Sequence, residues 1–334
     1  MRKKVVAVNR VEPDVLEMLE KVVDVTSFTG ITSTEDEEFV AALKDADGVI
    51  GLDLQVDDKL LDLAPNVKIF SNVSVGYNNL DIDALTRRKV MATNTPDVLN
   101  ETVADTIFGL LIATARRMPE LDHYVKSRKW KNTLSSNHYG TDVHHKTIGI
   151  IGMGRIGEAI AHRAHHGFHM DVLYHNRSEN PEAEKKYDAT YKELDDLLQE
   201  SDYVVLMTPL TEETEGLLGA REFALMKESA IFINGSRGQT IVEKDLIAAL
   251  ENKEIAAAGL DVFEQEPVEE DNPLLDMPNV VTLPHIGSST HATELAMSQL
   301  ACDNLLIGLR GEDKPPNLIN RVVWQKKYDW QDEE

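Results

Sequence analysis

The chain holds one cysteine, Cys302, in 334 residues. A single thiol excludes an intrachain disulfide framework and any metal centre built from several cysteines, and it suits a reducing cytoplasm. Basic residues are also scarce: 34 Lys and Arg face 58 Asp and Glu, a formal net charge of −24. Binding to nucleic acid or to an anionic membrane rests on cations that displace counterions, so neither is an expected partner. Long apolar runs are missing too. The best stretch, 103–115, is interrupted by Asp105 and Thr106 and falls short of the roughly 20 residues of a membrane span. At the start, Met1-Arg2-Lys3-Lys4 precedes only four apolar residues, Val5-Val6-Ala7-Val8, too few for an export signal and suited to a buried strand. There are no repeats and no low-complexity tracts.

What is present is material for a core, 42% apolar residues, in a chain long enough for about two domains. Short apolar runs alternate with longer helical patterns, the signature of parallel sheets with crossover helices. In the first hundred residues, strands are expected at 5–8, 48–51, 68–72 and 90–93, and helices at 13–22, 36–44 and 81–88. A second series begins at Thr147, with strands at 147–152, 171–175, 203–207, 230–234, 256–260 and 280–283 and helices such as 155–165 and 243–251. Six strands make a Rossmann-sized unit. A helix at 101–118 bridges the series and is followed by a basic patch at 126–131; a long helix at 289–309 can carry the chain back to the first unit. The tail from 324 to 334 is polar, acidic and expected to be loosely ordered. The expected fold is α/β, with two Rossmann-like doubly wound parallel-sheet domains, one inserted in the other: 1–100 plus 289–334, and 101–288.

Gly152-Met153-Gly154-Arg155-Ile156-Gly157 follows an expected strand and opens an expected helix, the context that makes G-x-G-x-x-G informative. The first glycine permits the tight turn, the second lets the backbone approach a pyrophosphate, and the third lets helix and strand pack closely. The helix N-terminus then offers N–H groups and positive dipole to phosphates. The following strand ends Tyr174-His175-Asn176-Arg177-Ser178, without the carboxylate that NAD-selective sites place on the ribose 2′-hydroxyl. Asn176, Arg177 and Ser178 can instead receive a 2′-phosphate, with Arg177 supplying charge and fork; a solvated turn is the other reading. NADP(H) is the preferred cofactor, NAD(H) the alternative.

Three later segments end successive strands: Asn234-Gly235-Ser236-Arg237-Gly238, Leu260-Asp261-Val262-Phe263 running on to Glu266-Pro267, and Pro284-His285-Ile286-Gly287-Ser288. Carboxyl ends of parallel strands are where open α/β sheets bind ligands. An arginine there suits bidentate capture of a carboxylate. A histidine beside a carboxylate suits acid catalysis near neutral pH. The other histidines, including His162, His165, His166 and the pair His144-His145, have no Cys or Asp partner set in sequence, and no metal site is expected.

With these segments and Val73-Ser74-Val75-Gly76-Tyr77-Asn78-Asn79-Leu80-Asp81, in this order and spacing over about residues 70–290, the chain resembles the D-isomer-specific 2-hydroxyacid dehydrogenases. The resemblance implies roles. Arg237 binds the substrate carboxylate, His285 protonates the carbonyl oxygen and Glu266 holds His285. The backbone around Val73, Ser74 and Gly76 cradles the carboxylate. Arg155 and Ile156 meet the pyrophosphate, and Thr208, Pro209, Asn234, Ser236, Asp261 and Gly287 line the cofactor cleft. The unit 1–100 plus 289–334 becomes the substrate-binding domain, 101–288 the dinucleotide-binding domain, and a homodimer through about 101–146 is implied. Glu266 stands where formate-oxidising members carry glutamine. The turn at 176–178 is similar to that of NADPH-preferring glyoxylate/hydroxypyruvate and 2-ketogluconate reductases. Expected partners are therefore a small 2-oxo acid and its D-2-hydroxy product. A phosphoglycerate- or D-lactate-type dehydrogenase, and a dinucleotide-sensing corepressor or scaffold, are the alternatives.

Overall fold

The computed structural model describes residues 2–31 and 35–329. The chain divides into two compact units, Met1–Leu99 with Ser289–Glu334, and Asn100–Ser288.

In the first unit the chain runs β1 (Lys4–Val8), α1 (Pro13–Glu20), β2 (Asp24–Phe28), α2 (Glu37–Asp45), β3 (Gly48–Gly51), α3 (Asp58–Leu63), β4 (Ile69–Asn72), α4 (Ile82–Arg87) and β5 (Met91–Thr93). β3, β4 and β5 are buried throughout and β1 in all but its first residue, as strands covered on both faces must be. The strand order is β2-β1-β3-β4-β5, all parallel. This is the doubly wound arrangement whose order reverses at β1 and β3. Part of the acidic excess has a local task here. Asp36, Asp57 and Asp81 accept the backbone N–H of Phe39, Leu60 and Ala84 at 2.8, 3.0 and 2.8 Å, so each caps the helix it precedes. Two elements go beyond the expected set. β2 is an edge strand with no fully buried residue, and α3 has only six residues; neither carries the apolar run or the period that marks its neighbours.

The second unit contains α5 (Asn100–Ala115), α6 (Met118–Lys126), β6 (Thr147–Ile151), α7 (Arg155–His162), β7 (Asp171–His175), α8 (Pro181–Tyr187), β8 (Thr190–Tyr191), α9 (Leu194–Glu200), β9 (Tyr203–Leu206), α10 (Ala220–Leu225), β10 (Ile231–Asn234), α11 (Glu243–Glu251), β11 (Ala257–Leu260) and β12 (Val280–Thr282). The sheet has seven parallel strands where six are expected, in the order β12-β11-β10-β9-β6-β7-β8. From β8 inward this is the dinucleotide-binding order 3-2-1-4-5-6 with one strand added. The added strand is β12, and the one not expected from sequence is β8, which is two residues long at the edge and has too little pattern to read. The helix expected at 101–118 ends at Ala115, because Arg117 takes a left-handed conformation with φ of 53°. α7 is likewise shorter than expected and passes into a π turn at Arg163–Gly167.

The chain then adds α12 (His291–Arg310), which packs on β3, β4 and β5 of the first unit, and α13 (Val322–Asp329). A loose tail from 324 is thus corrected as far as 329: a helix forms there, with Val323 buried at its start. Residues 330–334 lie outside the described residues. Among the described residues, no helix is long and apolar enough to cross a membrane.

Candidate active site

The turn after β6 is built around its glycines. Gly152 has φ of +102°, a value that side-chain-bearing residues avoid, and a Cβ there would lie 2.7 Å from the Met207 carbonyl oxygen. A Cβ on Gly157 would collide with the Gly152 carbonyl, whereas one on Gly154 would stand in open space. The second glycine therefore faces open space, beside the N-terminus of α7, whose cap residue it is. Next in sequence to Met207, Thr208 has a buried hydroxyl with no hydrogen-bond partner among the described residues. An open glycine at a helix N-terminus and an orphaned buried hydroxyl after the neighbouring strand fit a phosphate-bearing ligand. Gly154, Arg155, Ile156 and Gly157 would hold a dinucleotide's pyrophosphate.

The residues after β7 divide into two kinds. Asn176 turns inward: its Oδ1 accepts the Met153 N–H at 2.7 Å and its Nδ2 donates to the Met153 carbonyl at 3.3 Å. Asn180 donates to the same carbonyl and to Glu158, and caps α8 by accepting the Ala183 N–H. The glycine turn is thus braced by two asparagine amides from the next βα connection. Arg177 points out, 92% exposed, with Glu213 at 3.5 Å, and Ser178 is exposed.

At the ends of β10, β11 and β12 the three expected segments carry the charged groups. Asn234 and Ser236 are buried and engaged within their own turn: Asn234 accepts from the Ser236 N–H and hydroxyl and donates to the Arg237 carbonyl. That turn holds Arg237, whose Nη1 donates to the Ser236 carbonyl at 2.7 Å. Burial pushes the Arg237 guanidinium below its ordinary value, opposed by the charge of Glu266, and among the described residues no carboxylate comes within ion-pairing distance of it.

His285 Nδ1 lies 2.7 Å from Glu266 Oε2. A carboxylate only accepts, so Nδ1 carries the hydrogen and Nε2 is left for another partner. The pair is half-exposed, 45% and 35% for the two side chains. The other oxygen of Glu266 accepts the Phe263 N–H at 3.0 Å. Burial drives the Glu266 carboxyl upward, but the hydrogen bond and charge of His285, with the Phe263 N–H and the charge of Arg237, outweigh it and the group sits below its ordinary value. His285 itself adopts a left-handed backbone, φ 53°. Asp261 pins that conformation by accepting the N–H groups of Ile286 and Gly287 at 2.8 and 2.9 Å; its burial raises its own pKa.

In the first unit the loop after β4 is tied by its carbonyls. Those of Ser74, Val75 and Gly76 accept from the Thr95 N–H, Asn94 Nδ2 and Asn72 Nδ2 at 2.9, 2.8 and 2.8 Å, while the Val73 N–H donates to Gly51. These carbonyls of the loop are thus each engaged. The ties made by Asn176, Asn180, Asn72 and Asn94 are not supplied by motif reasoning, because an amide's partner is settled only by the folded loop.

The family described as D-isomer specific 2-hydroxyacid dehydrogenase, NAD binding domain, matches residues 108–287. A glyoxylate/hydroxypyruvate reductase B from Escherichia fergusonii is 51% identical over 313 residues, covering 93% of this chain and 96% of that protein. Among solved structures, a Thermus thermophilus protein superposes with a TM-score of 0.88 at 35% identity, over 95% of this chain and 99% of that one. An NADPH-dependent glyoxylate/hydroxypyruvate reductase from Sinorhizobium meliloti, in complex with NADP and malonate, does so with 0.84 at 30% identity, over 97% and 98%. The chain belongs to the D-isomer-specific 2-hydroxyacid dehydrogenase family and is a nicotinamide-dinucleotide-dependent oxidoreductase.

Proposed function

We propose that the protein reduces glyoxylate or hydroxypyruvate to the D-2-hydroxy acid with NADPH, with 2-ketogluconate as a related substrate. The observation that carries this reading is a part-buried guanidinium without a carboxylate partner, Arg237, beside a hydrogen-bonded Glu266–His285 pair. An anion with an adjacent carbonyl answers both. Arg237 binds the substrate carboxylate and draws electron density from the 2-oxo group. His285 donates its Nε2 proton to the carbonyl oxygen as that oxygen becomes an alkoxide. Glu266 fixes the ring's orientation through its contact with Nδ1. The bound reduced dinucleotide supplies the hydride that C2 receives, so the acid gains one hydride and one proton. The first unit, with its loop around Val73, Ser74 and Gly76, is read as the substrate-binding domain.

The choice of NADPH is supported by the tip of β7, where Arg177 and Ser178 are exposed and no carboxylate stands in their place. Asn176 serves by holding the turn at Met153. A homodimer through the region from α5 to Lys146 is supported by α6, which has no buried residue, and by the exposed side chains of Met118, Val125, Trp130 and Tyr139. Large apolar groups so placed suit a subunit contact, and light scattering on the purified protein tests it. The cytoplasm is the compartment that best suits NADPH-driven reduction and a single thiol.

Steady-state kinetics with glyoxylate, hydroxypyruvate, 2-ketogluconate, pyruvate and phenylpyruvate, each with NADPH and NADH, tests the reading. The highest kcat/KM is expected with one of the first two acids and NADPH. Turnover of none of the five overturns the activity, and a clear preference for NADH overturns the role given to Arg177.

A further inference from the structure

We propose that Glu243, together with Gln239, is a positioning residue for the Glu266–His285 pair. The inference rests on the reading of that pair as the proton donor and concerns what keeps it in place. Glu243 is the first residue of α11, and its side chain is almost wholly buried. It does not cap its own helix. Its Oε2 accepts the backbone N–H of Glu264 at 2.9 Å, and its Oε1 accepts Nδ2 of Asn272 at 2.7 Å. Gln239 takes the other side of the same residue, donating from Nε2 to the Glu264 carbonyl at 2.6 Å. Glu264 is thus gripped at both its N–H and its C=O by side chains outside its loop, while its own side chain is exposed.

The gripped residue lies between Phe263 and Glu266. Phe263 supplies the N–H that orients one oxygen of Glu266, and His285 Nδ1 takes the other. A Cβ on Gly238 would overlap the Phe263 carbonyl and the Glu264 nitrogen, so the backbone before Gln239 is pressed directly on this peptide. The connection from β11 to β12 is otherwise exposed from Glu264 to Pro267, with Phe263 and Leu274 as its buried anchors. An exposed connection moves unless it is tied. A shift of about 1 Å is enough to lose a 2.7 Å hydrogen bond and a large part of the rate. Two donors converge on Glu243, and only a carboxylate accepts both; an amide meets one of them with its own NH2. The chain of contact runs from α11 through Glu264 and Phe263 to Glu266, and from there to His285.

The test combines a structural readout that needs no turnover with a kinetic cycle. In the ligand-free protein, long-range 1H–15N spectra report the tautomer of the His285 ring, with its signals identified by His285→Gln. The neutral ring is expected as the Nδ1–H form in wild type and as a mixture in Glu266→Gln, Glu243→Gln and Gln239→Ala. Gln239 is only partly buried, so Gln239→Ala tests the grip even where Glu243→Gln does not fold. A wild-type tautomer retained in Gln239→Ala or in folded Glu243→Gln overturns the proposal. In the kinetic cycle, Glu243→Gln is expected to lower kcat about ten- to a hundredfold with little change in KM for NADPH. The same change in a Glu266→Gln background is expected to cost under about twofold, because the two act in series. Equal losses in both backgrounds mean a merely structural role and overturn the proposal. Absence of 2-oxo acid turnover in wild type would count against the proposed function, and the tautomer result would still decide this inference.

Discussion

Arg237 is the residue whose surroundings most demand a ligand. Its guanidinium is depressed by burial and offset only by the charge of Glu266, a situation that an arriving carboxylate relieves. Arg237→Ala is therefore expected to raise KM for the 2-oxo acid by roughly 10- to 100-fold, the worth of a hydrogen bond to a charged group, with KM for NADPH little changed. Arg237→Lys is expected to recover only part, since an ammonium lacks the planar fork; full recovery in initial-rate measurements argues against bidentate binding. Glu266 carries a second prediction, in pH. Its carboxyl lies below the ordinary value of 4.5 because His285, the Phe263 N–H and Arg237 together outweigh burial. A group so depressed contributes stability fully above its unfolded value, and that contribution is lost as pH falls through the lower folded value. Melting temperatures from about pH 7 to about pH 3 should fall less steeply at the acid end in Glu266→Gln than in wild type. Identical acid limbs would mean the pair adds nothing to folding.

Elements place these groups, and one connection does more of that work than its length suggests. Asn180 caps α8 and holds the Met153 carbonyl of the glycine turn. Asn180→Ala is expected to cost about 1 kcal/mol through the lost cap, read from urea unfolding, and also to raise the dissociation constant for NADPH as the turn loosens. A stability loss with unchanged NADPH binding would assign Asn180 to the helix alone. The legibility of the fold divides along the same line. β1, β3, β4, β6, β7, β9, β10 and β11 are readable because buried parallel strands are near-continuous apolar runs. β2 and β8 are not, because an edge strand or a two-residue strand has no such run. In the candidate site, the turn at Gly152, Gly154 and Gly157 is readable since local spacing already implies its context, and Glu266 and His285, named from strand-end motifs, do meet in the fold. Asn176 reads as a phosphate ligand because its place in sequence suits one, yet its amide goes to Met153, 23 residues back. Glu243 gives no sign at all in sequence, since an acid in the first turn of a helix is ordinary and only the folded connection brings Glu264 to it.

At the scale of the whole molecule, a net charge of −24 surrounds a site proposed to take two anions. Part of the acid is consumed locally, in the helix caps of Asp36, Asp57 and Asp81. Part lies in exposed stretches such as Glu269-Glu270-Asp271. The cations proposed to meet those anions, Arg155, Arg177 and Arg237, would act locally against this repulsive mean field. Two effects of salt follow, with opposite outcomes. Screening weakens the self-repulsion of the acidic coat, and it also weakens exposed ion pairs such as Lys4–Asp45 and Lys126–Asp122. Exposed pairs contribute about 0–1 kcal/mol each, whereas the repulsion sums over all 24 uncompensated charges, so repulsion dominates. The melting temperature at about pH 8 is therefore expected to rise by several degrees between about 10 mM and about 0.5 M NaCl, as the Debye length shrinks from about 30 Å to a few ångströms. Over the same range KM for NADPH is expected to rise, because the proposed contact of a 2′-phosphate with exposed Arg177 would be screened while the fold is being stabilised. A melting temperature that falls with salt would mean that the ion pairs, and not the uncompensated acids, govern the stability of this chain.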